Sequence, residues 1–542
     1  MTQLNLFGET EKQNNKEKEI SHKAKSYTGL YALHKYWGKK PYNIMQDFIK
    51  KYTSHNEIVL DPFLGSGVSS TEAVFNERKG FGIDINPSAI FITEQLLKKI
   101  EPEKIREEYN SIENDIRKEI DSFYSIIREG KSYVGQNFLW ENNELTEIRY
   151  TKGKIKRYCT KPTEEDIDKA NGFNLDQLKY FYPTSNFFHN SRINAKSNQT
   201  VSNLFTKRNL FALSILYNRI QNIEDENLQN LFKFCFTSAL GQASKMVFVI
   251  KRRNKTKNNG STETSQKKEI GSWVIGYWQP KEFFENNVWT CFETRFKKIL
   301  KAKKQQFSIP IKYTESNNFN ELINSKDYLL VTAPSQKYLK NIPNNSIDYI
   351  LTDPPHSNRI PYLELSLLWN SWLKKNVDYE DEIVLSESKE RKKDIVDYNA
   401  LLKEVIKESF RVLKPEKYLS IMFNSLDDEV WINLIKAFLE IGFEFHKIET
   451  LGYSANSVVQ DNRKNGLQTD FIITFKKPFN ENNQRSLIVS ELSKNPNIVE
   501  NIRDLKFNGY KSFQIINNTF CNSLKENIFF KISDIIKTIE NA

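Results

Sequence analysis

A glycine-rich stretch near the N-terminus has the residue types and spacing of a loop that closes on a ligand. It reads Leu-Asp-Pro-Phe-Leu-Gly-Ser-Gly over residues 60–67 and follows a short apolar run that predicts a strand. Glycine lets the backbone turn tightly and approach a ligand closely, and ligands of parallel sheets bind beyond the carboxyl ends of the strands. We therefore expect a cofactor site formed by Asp61, Pro62, Phe63, Gly65 and Gly67.

An acidic residue follows this loop after a second predicted strand. Residues 80–83 read Gly-Phe-Gly-Ile, and Asp84 ends the run. A carboxylate at this position can accept hydrogen bonds from both ribose hydroxyls of an adenosine-containing cofactor. The glycines alone would also suit a plain tight turn, and the full GxGxxG of dinucleotide binders is missing. The combination of loop, strand and Asp84 favours a cofactor site over a structural turn.

A second stretch, far along the chain, could hold an amino group. Thr352-Asp353-Pro354-Pro355-His356 follows a strand predicted at 346–352. Two prolines stiffen the loop, so that the Asp353 carboxylate and the Pro354 carbonyl can both act as acceptors. Two acceptors can hold an exocyclic amine with its lone pair facing an electrophilic methyl group, and the His356 ring can stack on a base taken out of the duplex. Asp-Pro is also common in turns, so this stretch alone leaves both interpretations open.

The composition limits the class of protein. The chain has 542 residues, with 79 Lys+Arg against 68 Asp+Glu and a net charge of +11, which suits a polyanionic partner or simply a lysine-rich proteome. Its four cysteines form no CxxC pair, so we expect no zinc ribbon, no bound metal and no disulfide framework. The first residues lack the apolar core of a signal peptide, and no apolar run has membrane-spanning length. We expect a cytoplasmic protein.

The elements that must position the two loops form an interrupted α/β pattern. The order strand, loop, helix, strand over residues 58–84 is typical of a doubly wound, Rossmann-like sheet. Strands are predicted again at 328–332, 346–352, 418–424, 443–451 and 470–476. We predict a sheet split by a large, mostly helical insertion with helices at 203–220, 228–240 and 282–304. The predicted divisions are a flexible leader at 1–25, the first part of the sheet domain at 26–100, the insertion at 101–325, the second part at 326–477 and a small, separate helical domain at 478–542.

The two motifs in this order resemble those of the DNA amino-methyltransferase superfamily, which makes N6-methyladenine or N4-methylcytosine. The resemblance is closer to its long branch with an N-terminal segment like His-Lys-Tyr-Trp-Gly-Lys-Lys-Pro, residues 34–41, and covers roughly 27–95 and 345–476. It implies S-adenosyl-L-methionine as methyl donor, held by the glycine-rich loop and Asp84, and double-stranded DNA as substrate. It implies a flipped base held by Asp353, Pro354, Pro355 and His356. The segment 34–41 would cover the methionine end of the cofactor, with Tyr36 and Lys39 as contacts, or would form an aromatic, basic surface loop.

The family order places target recognition between the motifs, which makes the insertion the candidate DNA reader. Its candidate phosphate contacts are Lys251, Arg252 and Arg253, and a later polar loop adds Asn462 and Arg463. Trp273, Tyr277 and Trp278 are candidate contacts to sugars or bases. A charge run is also typical of a solvated face.

Two departures from the family stand out. His356 replaces the usual tyrosine, and residues 330–335 lack the acid that the family places near the adenine of the cofactor. The Asp of the catalytic motif favours adenine over cytosine by analogy. We predict N6-adenine methylation in a restriction–modification or defence system, with a possible separate restriction endonuclease. The alternatives are an N4-cytosine DNA methyltransferase, a tRNA guanine-N2 methyltransferase and an inactive DNA-binding module.

Overall fold

The computed structural model describes residues 22–25, 27–153, 156–253, 266–274, 276–356, 360–386, 388–425, 427–452, 470–480 and 485–542. The strands are β1 (His22–Lys23), β2 (Ile58–Asp61), β3 (Lys79–Asp84), β4 (Ser125–Arg128), β5 (Lys131–Glu141), β6 (Glu144–Thr151), β7 (Arg157–Thr160), β8 (Val249–Arg253), β9 (Gln266–Ile270), β10 (Glu282–Asn286), β11 (Tyr328–Thr332), β12 (Ile347–Thr352), β13 (Leu413–Phe423), β14 (Glu444–Gly452), β15 (Phe471–Lys476), β16 (Ile488–Ser490) and β17 (Ile528–Phe530).

Helices surround these strands. They are α1 (Tyr42–Tyr52), α2 (Val68–Phe75), α3 (Pro87–Leu97), α4 (Pro102–Phe123), α5 (Glu164–Asn171), α6 (Lys207–Gln221), α7 (Glu226–Ala239), α8 (Val288–Phe307), α9 (Phe319–Asn324), α10 (Ser335–Tyr338), α11 (Tyr362–Trp372), α12 (Ile395–Val412), α13 (Asp428–Ile441), α14 (Pro496–Phe507), α15 (Ser512–Ser523) and α16 (Ile532–Glu540). Among the described residues, no helix is both long and apolar enough to cross a membrane.

The central sheet has eight strands in the order β1-β14-β15-β13-β12-β2-β3-β11. Strands β13, β12, β2, β3 and β11 run parallel to one another, whereas β15 runs antiparallel between β13 and β14. From β2 the chain continues to β3 on one side, and its other neighbour, β12, arrives only after the insertion. The doubly wound α/β fold predicted from the sequence is confirmed, and the β2–β12 pair is its topological switch point, where ligands of such sheets bind.

Local signals in the sequence explain the elements next to this point. All four residues of β2 are buried, as expected of a central parallel strand. Helix α3 begins after Asn86, whose side chain accepts a hydrogen bond from the Ser88 amide, and Pro87 fits its first turn. Gly442 ends α13 in the left-handed conformation.

The insertion contains an antiparallel sheet that the sequence analysis did not anticipate. Strands β10, β5, β6 and β7 pair in that order, with β4 beside β5, and β8 pairs with β9 in a hairpin. The helix predicted at 282–304 begins only at Val288, because residues 282–286 pair with β5 and the Asn287 side chain caps the helix after them. A stretch in which polar and aromatic residues alternate predicts a strand only weakly, because a strand is stabilised by packing against the strands that pair with it.

The C-terminal residues pack onto the sheet instead of enclosing a core of their own. The ring of Phe520 in α15 lies 5.6 Å from the ring of Trp431 in α13, and the Ser533 hydroxyl donates to the Asp428 carboxylate at 2.6 Å. Ile515, Phe520 and Phe529 belong to the same apolar core as the strands of the sheet. The predicted separate domain is therefore an extension of the α/β core.

Candidate active site

The two predicted loops meet in one cleft at the switch point of the sheet. Tyr349 and Ile350 of β12 lie opposite Val59 and Leu60 of β2, so the residues that follow each strand emerge side by side. Six segments of the chain line the cleft. They contribute 36–38 with Lys40 and Met45; 61–66 with 68–69; 84–86; 334–336; Asp353 and Pro355 with Tyr362 and Leu363; and 381–383.

Asp61 joins the two loops directly. Its Oδ1 accepts hydrogen bonds from the Phe63 amide at 3.0 Å and from the Thr352 hydroxyl at 2.7 Å, and its Oδ2 accepts from the Ser69 hydroxyl. Burial raises the pKa of this carboxyl to about 6. Thr352 immediately precedes Asp353, so Asp61 holds the start of the predicted catalytic loop (352–356) against the predicted cofactor loop (60–67).

The two glycines of the first loop have left-handed backbones. Gly65 has φ +53° and Gly67 has φ +76°, a backbone region that residues other than glycine rarely adopt. A β-carbon at Gly67 would lie 2.1 Å from the Thr93 hydroxyl oxygen. At Gly65 it would lie 3.4 Å from the Tyr36 ring, on the wall of the cleft. Gly67 is therefore required by packing, whereas Gly65 keeps the cleft open.

Asp84 lies in the cleft with its carboxylate held in place. Its Oδ2 accepts from the Gly65 amide at 2.7 Å and its Oδ1 accepts from the Asn86 amide at 2.8 Å. Burial raises the pKa of this carboxyl to about 7. Each oxygen has a second lone pair, so the carboxylate can still accept a hydrogen bond from each of two hydroxyl groups. This donor-poor, acceptor-rich position fits the ribose of an adenosine.

The structure separates the two predicted residues of the N-terminal segment. Tyr36 lines the cleft, and its ring stacks on that of Tyr362 at 6.0 Å. Lys39 is not brought to the cleft, because its Nζ donates to the backbone oxygens of Tyr31 at 2.7 Å and His34 at 3.0 Å. The next residue, Lys40, lines the cleft instead.

The catalytic loop presents Asp353 and Pro355 to the cleft. Pro354 is buried behind them. The His356 ring turns toward its own loop, with Nε2 2.8 Å from Oδ1 of Asp353, and lies 5.2 Å from the ring of Phe423. The Tyr398 hydroxyl donates to the Pro355 carbonyl at 2.6 Å, which anchors the loop to α12.

Two segments of the cleft wall were missed by the sequence analysis. Residues 334–336 follow β11, whose Thr332 lies opposite Asp84 in the sheet, so their place after a parallel strand was a usable signal. Residues 381–383 carry no motif. They are held by Arg391, which is ion-paired with Glu382 and lies 2.9 Å from Glu364 in the protein interior.

The structure describes three of the five candidate DNA contacts. Lys251 and Arg252 are exposed on β8 but pair with Glu282 at 2.8 Å and with Glu269 at 2.9 Å. Arg253 is the last residue of that strand. Asn462 and Arg463 lie outside the described residues.

Two of the three candidate aromatic contacts are part of the core. Trp273 and Tyr277 are buried, and the Tyr277 hydroxyl donates to the backbone oxygen of Leu365 at 2.7 Å. Trp278 is 49% exposed and is the one of the three that could reach a ligand. Within the described residues, no group of three His, Cys, Asp or Glu side chains could hold a metal ion.

Comparison with known proteins finds similarity to DNA methyltransferases. Residues 5–95 match the family model N6_N4_Mtase, described as a DNA methylase. The chain is 25% identical over 153 residues to the type II methyltransferase M.MjaII of Methanocaldococcus jannaschii, covering 28% of this chain and 27% of that protein. It is 28% identical over 147 residues to the type II methyltransferase M.HpaI of Haemophilus parainfluenzae, covering 26% of this chain and 44% of that protein.

The chain thus spans less than half the length of either curated relative. Among solved structures, a SAM-dependent methyltransferase from Methanosarcina mazei is 11% identical and covers 31% of this chain and 81% of its own, with a TM-score of 0.16 that is too low to bear on the fold. The family predicted from the two motifs is confirmed by the matching family model and by both relatives. Over the matched residues, the chain is therefore similar to the DNA amino-methyltransferases, the N6-adenine and N4-cytosine DNA methylases.

Proposed function

We propose that this protein transfers a methyl group from S-adenosyl-L-methionine to the exocyclic amino group of a base in double-stranded DNA. The observation that carries the proposal is the hydrogen bond between Thr352 and Asp61 at 2.7 Å, because it joins the catalytic loop to the cofactor loop at one cleft. Direct transfer requires donor and acceptor within van der Waals reach. Loops on different faces of the sheet could not perform it.

The cofactor would be held mainly by its adenosine. The free lone pairs of Asp84 would accept the ribose hydroxyls, and Gly65 would let the backbone approach the ligand. Tyr36 and Phe63 supply apolar walls, and residues 334–336 and 381–383 border the remaining space where adenine would lie. When bound, S-adenosyl-L-methionine supplies a methyl group on a positively charged sulfur.

The catalytic loop would hold the amine by its N–H groups. Asp353 accepts one, and we assign the second to the carbonyl of Pro354, so that the nitrogen lone pair faces the methyl carbon. Attack of that lone pair on the methyl carbon would form the C–N bond and would leave the electrons of the broken C–S bond on the sulfur of the donor. The proton then lost by nitrogen passes to water. The His356 ring, which packs against the buried ring of Phe423, would be the surface on which the flipped base stacks.

We propose adenine N6 as the target and cytosine N4 as the alternative. Both curated relatives are type II methyltransferases by name, which supports a site-specific enzyme of a restriction–modification or defence system, paired with a separate endonuclease in the cytoplasm. The net charge of +11 supports a nucleic-acid substrate. The β8–β9 hairpin, with Arg252 and Arg253, is the proposed DNA-reading element of the insertion.

A methyl-transfer assay tests the proposal. Purified protein, tritiated methyl donor and DNA from a strain without the modification are expected to yield labelled DNA, and long-read sequencing then identifies the base. Asp353→Ala should abolish labelling, whereas Asp504→Ala, on an exposed face of α14, should not. Label on tRNA alone would instead identify a tRNA methyltransferase. Binding of DNA without any label would identify an inactive binding module.

A further inference from the structure

A cluster of charged side chains lies at the catalytic loop and includes Asp470, a residue that no motif contains. The Lys40 Nζ is 3.1 Å from Oδ2 of Asp353 and 3.0 Å from Oδ2 of Asp470. The exposed fractions of these side chains are 10% for Lys40, 14% for Asp353 and 7% for Asp470. On the other side of the same carboxylate, His356 contacts Oδ1. One ammonium is thus shared between two nearly buried acids.

The sheet topology explains why Asp470 is present at this site. Strand β15 runs antiparallel to β13, and Phe471 lies opposite Phe423. The residue that precedes an antiparallel strand therefore emerges at the same edge as the residues that follow the parallel strands. There the side-chain amide of Asn424 donates to Oδ1 of Asp470 at 3.1 Å, and Oδ2 of Asp470 accepts from Lys40.

We infer that Lys40, tuned by Asp470, is the positioning residue of the catalytic loop. This inference rests on the proposed function, since it assigns a role in that reaction. A cation within about 4 Å favours the ionised form of a carboxylate, and only the ionised form is a pure acceptor. Lys40 occupies one lone pair of Oδ2, so a second lone pair remains for the amine. The ammonium thereby fixes the orientation of the Asp353 carboxylate.

Asp470 competes with Asp353 for the Lys40 ammonium. Its negative charge attracts the same ammonium and opposes a second carboxylate nearby. Besides Lys40, Asp470 and His356, the titratable groups that sense the Asp353 charge are Tyr27, Tyr362 and Asp61. None of these carries a positive charge. Among these groups, Lys40 supplies the lysine ammonium that contacts the Asp353 carboxylate, at 3.1 Å.

Opposite shifts in the pH profile test the inference. Lys40→Met should lower kcat about 100-fold, as expected when a reacting group loses its position, and should move the acid side of the kcat profile to higher pH. Lys40→Arg should recover most of kcat because it keeps the charge. Asp470→Asn should move the acid side to lower pH. Removal of a merely structural contact would not shift the two profiles in opposite directions.

The controls separate this inference from the proposed function. Lys39→Met removes the neighbouring buried ammonium, which contacts backbone carbonyls, and should leave the acid side of the profile where it is in the wild type. If the wild-type protein labels no nucleic acid, the proposed function is wrong. If it labels DNA but Lys40→Met, confirmed as folded by circular dichroism, keeps the wild-type kcat and profile, the inference is wrong. Shifts of Lys40→Met and Asp470→Asn in the same direction would also overturn it.

Discussion

Asp84 is expected to make binding of the methyl donor depend on pH near neutrality. Burial raises the pKa of its carboxyl to about 7, whereas an ordinary aspartate ionises near pH 4. The ribose hydroxyls donate to the carboxylate, and protonation replaces one acceptor with a donor. Because the pKa is raised, the binding-competent ionised form is present above pH 7 and is lost as the pH falls through this value.

The size of the effect follows from the ionised fraction. If only the ionised form binds, the apparent Kd rises by a factor of about 1.1 at pH 8 and roughly 11 at pH 6, relative to its limiting value. Affinity should therefore fall about tenfold over these two pH units, or about 1.4 kcal/mol. Asp61, whose pKa is raised to about 6, titrates at the lower end of this range and contributes less.

Calorimetry with 5′-methylthioadenosine isolates the contribution of Asp84. This ligand has the adenine and ribose of the methyl donor but no amino acid that titrates in the same range. Asp84→Asn should bind more weakly and with little dependence on pH, while Asp381→Asn, at another acid of the cleft wall, should keep the dependence. A wild-type affinity that is constant from pH 8 to pH 6, or an equal fall in Asp84→Asn, would refute the reasoning.

Two further substitutions probe the scaffold of the site by chemical denaturation. Gly67→Ala should lower the free energy of unfolding by about 2 to 5 kcal/mol, because it combines a left-handed backbone with a β-carbon 2.1 Å from the Thr93 hydroxyl oxygen. Arg391→Met should lower it by about 3 to 5 kcal/mol, because Glu364 and Glu382 then remain buried without their cation.

Each substitution has a matched control. Gly65→Ala, with its β-carbon 3.4 Å from the Tyr36 ring, should cost about 1 kcal/mol of stability but weaken ligand binding in the cleft. Lys403→Met removes an exposed ion pair with Glu440 and should change the stability by less than about 1 kcal/mol. If a test variant and its control lost the same free energy of unfolding, the packing argument for Gly67 or the charge argument for Arg391 would be wrong.

Much of the site could be predicted from local patterns. Asp61, Asp84 and Asp353 each stand where a buried strand ends, and parallel strands bring their carboxyl ends to one edge of a sheet. The glycine-rich loop and the paired prolines restrict the backbone locally, so their effect is visible without any tertiary contact. For the same reason the strands that lead into the motifs, β2, β3 and β12, were predicted within a few residues of their observed bounds, whereas α3 and α11 were not predicted.

The insertion shows where such patterns fail. Strands β5, β6 and β7 are stabilised by one another, and the burial of Trp273 and Tyr277 depends on contacts with α11 and the segment before α1. Aromatic residues in a basic stretch resemble a nucleic-acid surface until their neighbours are known. Packing between segments decides whether such aromatic residues face the solvent or the core.

The sequence by itself determined the resemblance to DNA amino-methyltransferases, the α/β fold and the two loops of the cleft, because these follow from residue types within short windows. Only the tertiary structure decided which of two adjacent lysines enters the cleft. Lys39 and Lys40 are chemically the same, and Lys40 is distinguished by an acid 430 residues further along the chain, which an antiparallel strand delivers to the catalytic edge. Charge pairing depends on distance in space, and no local pattern contains that distance.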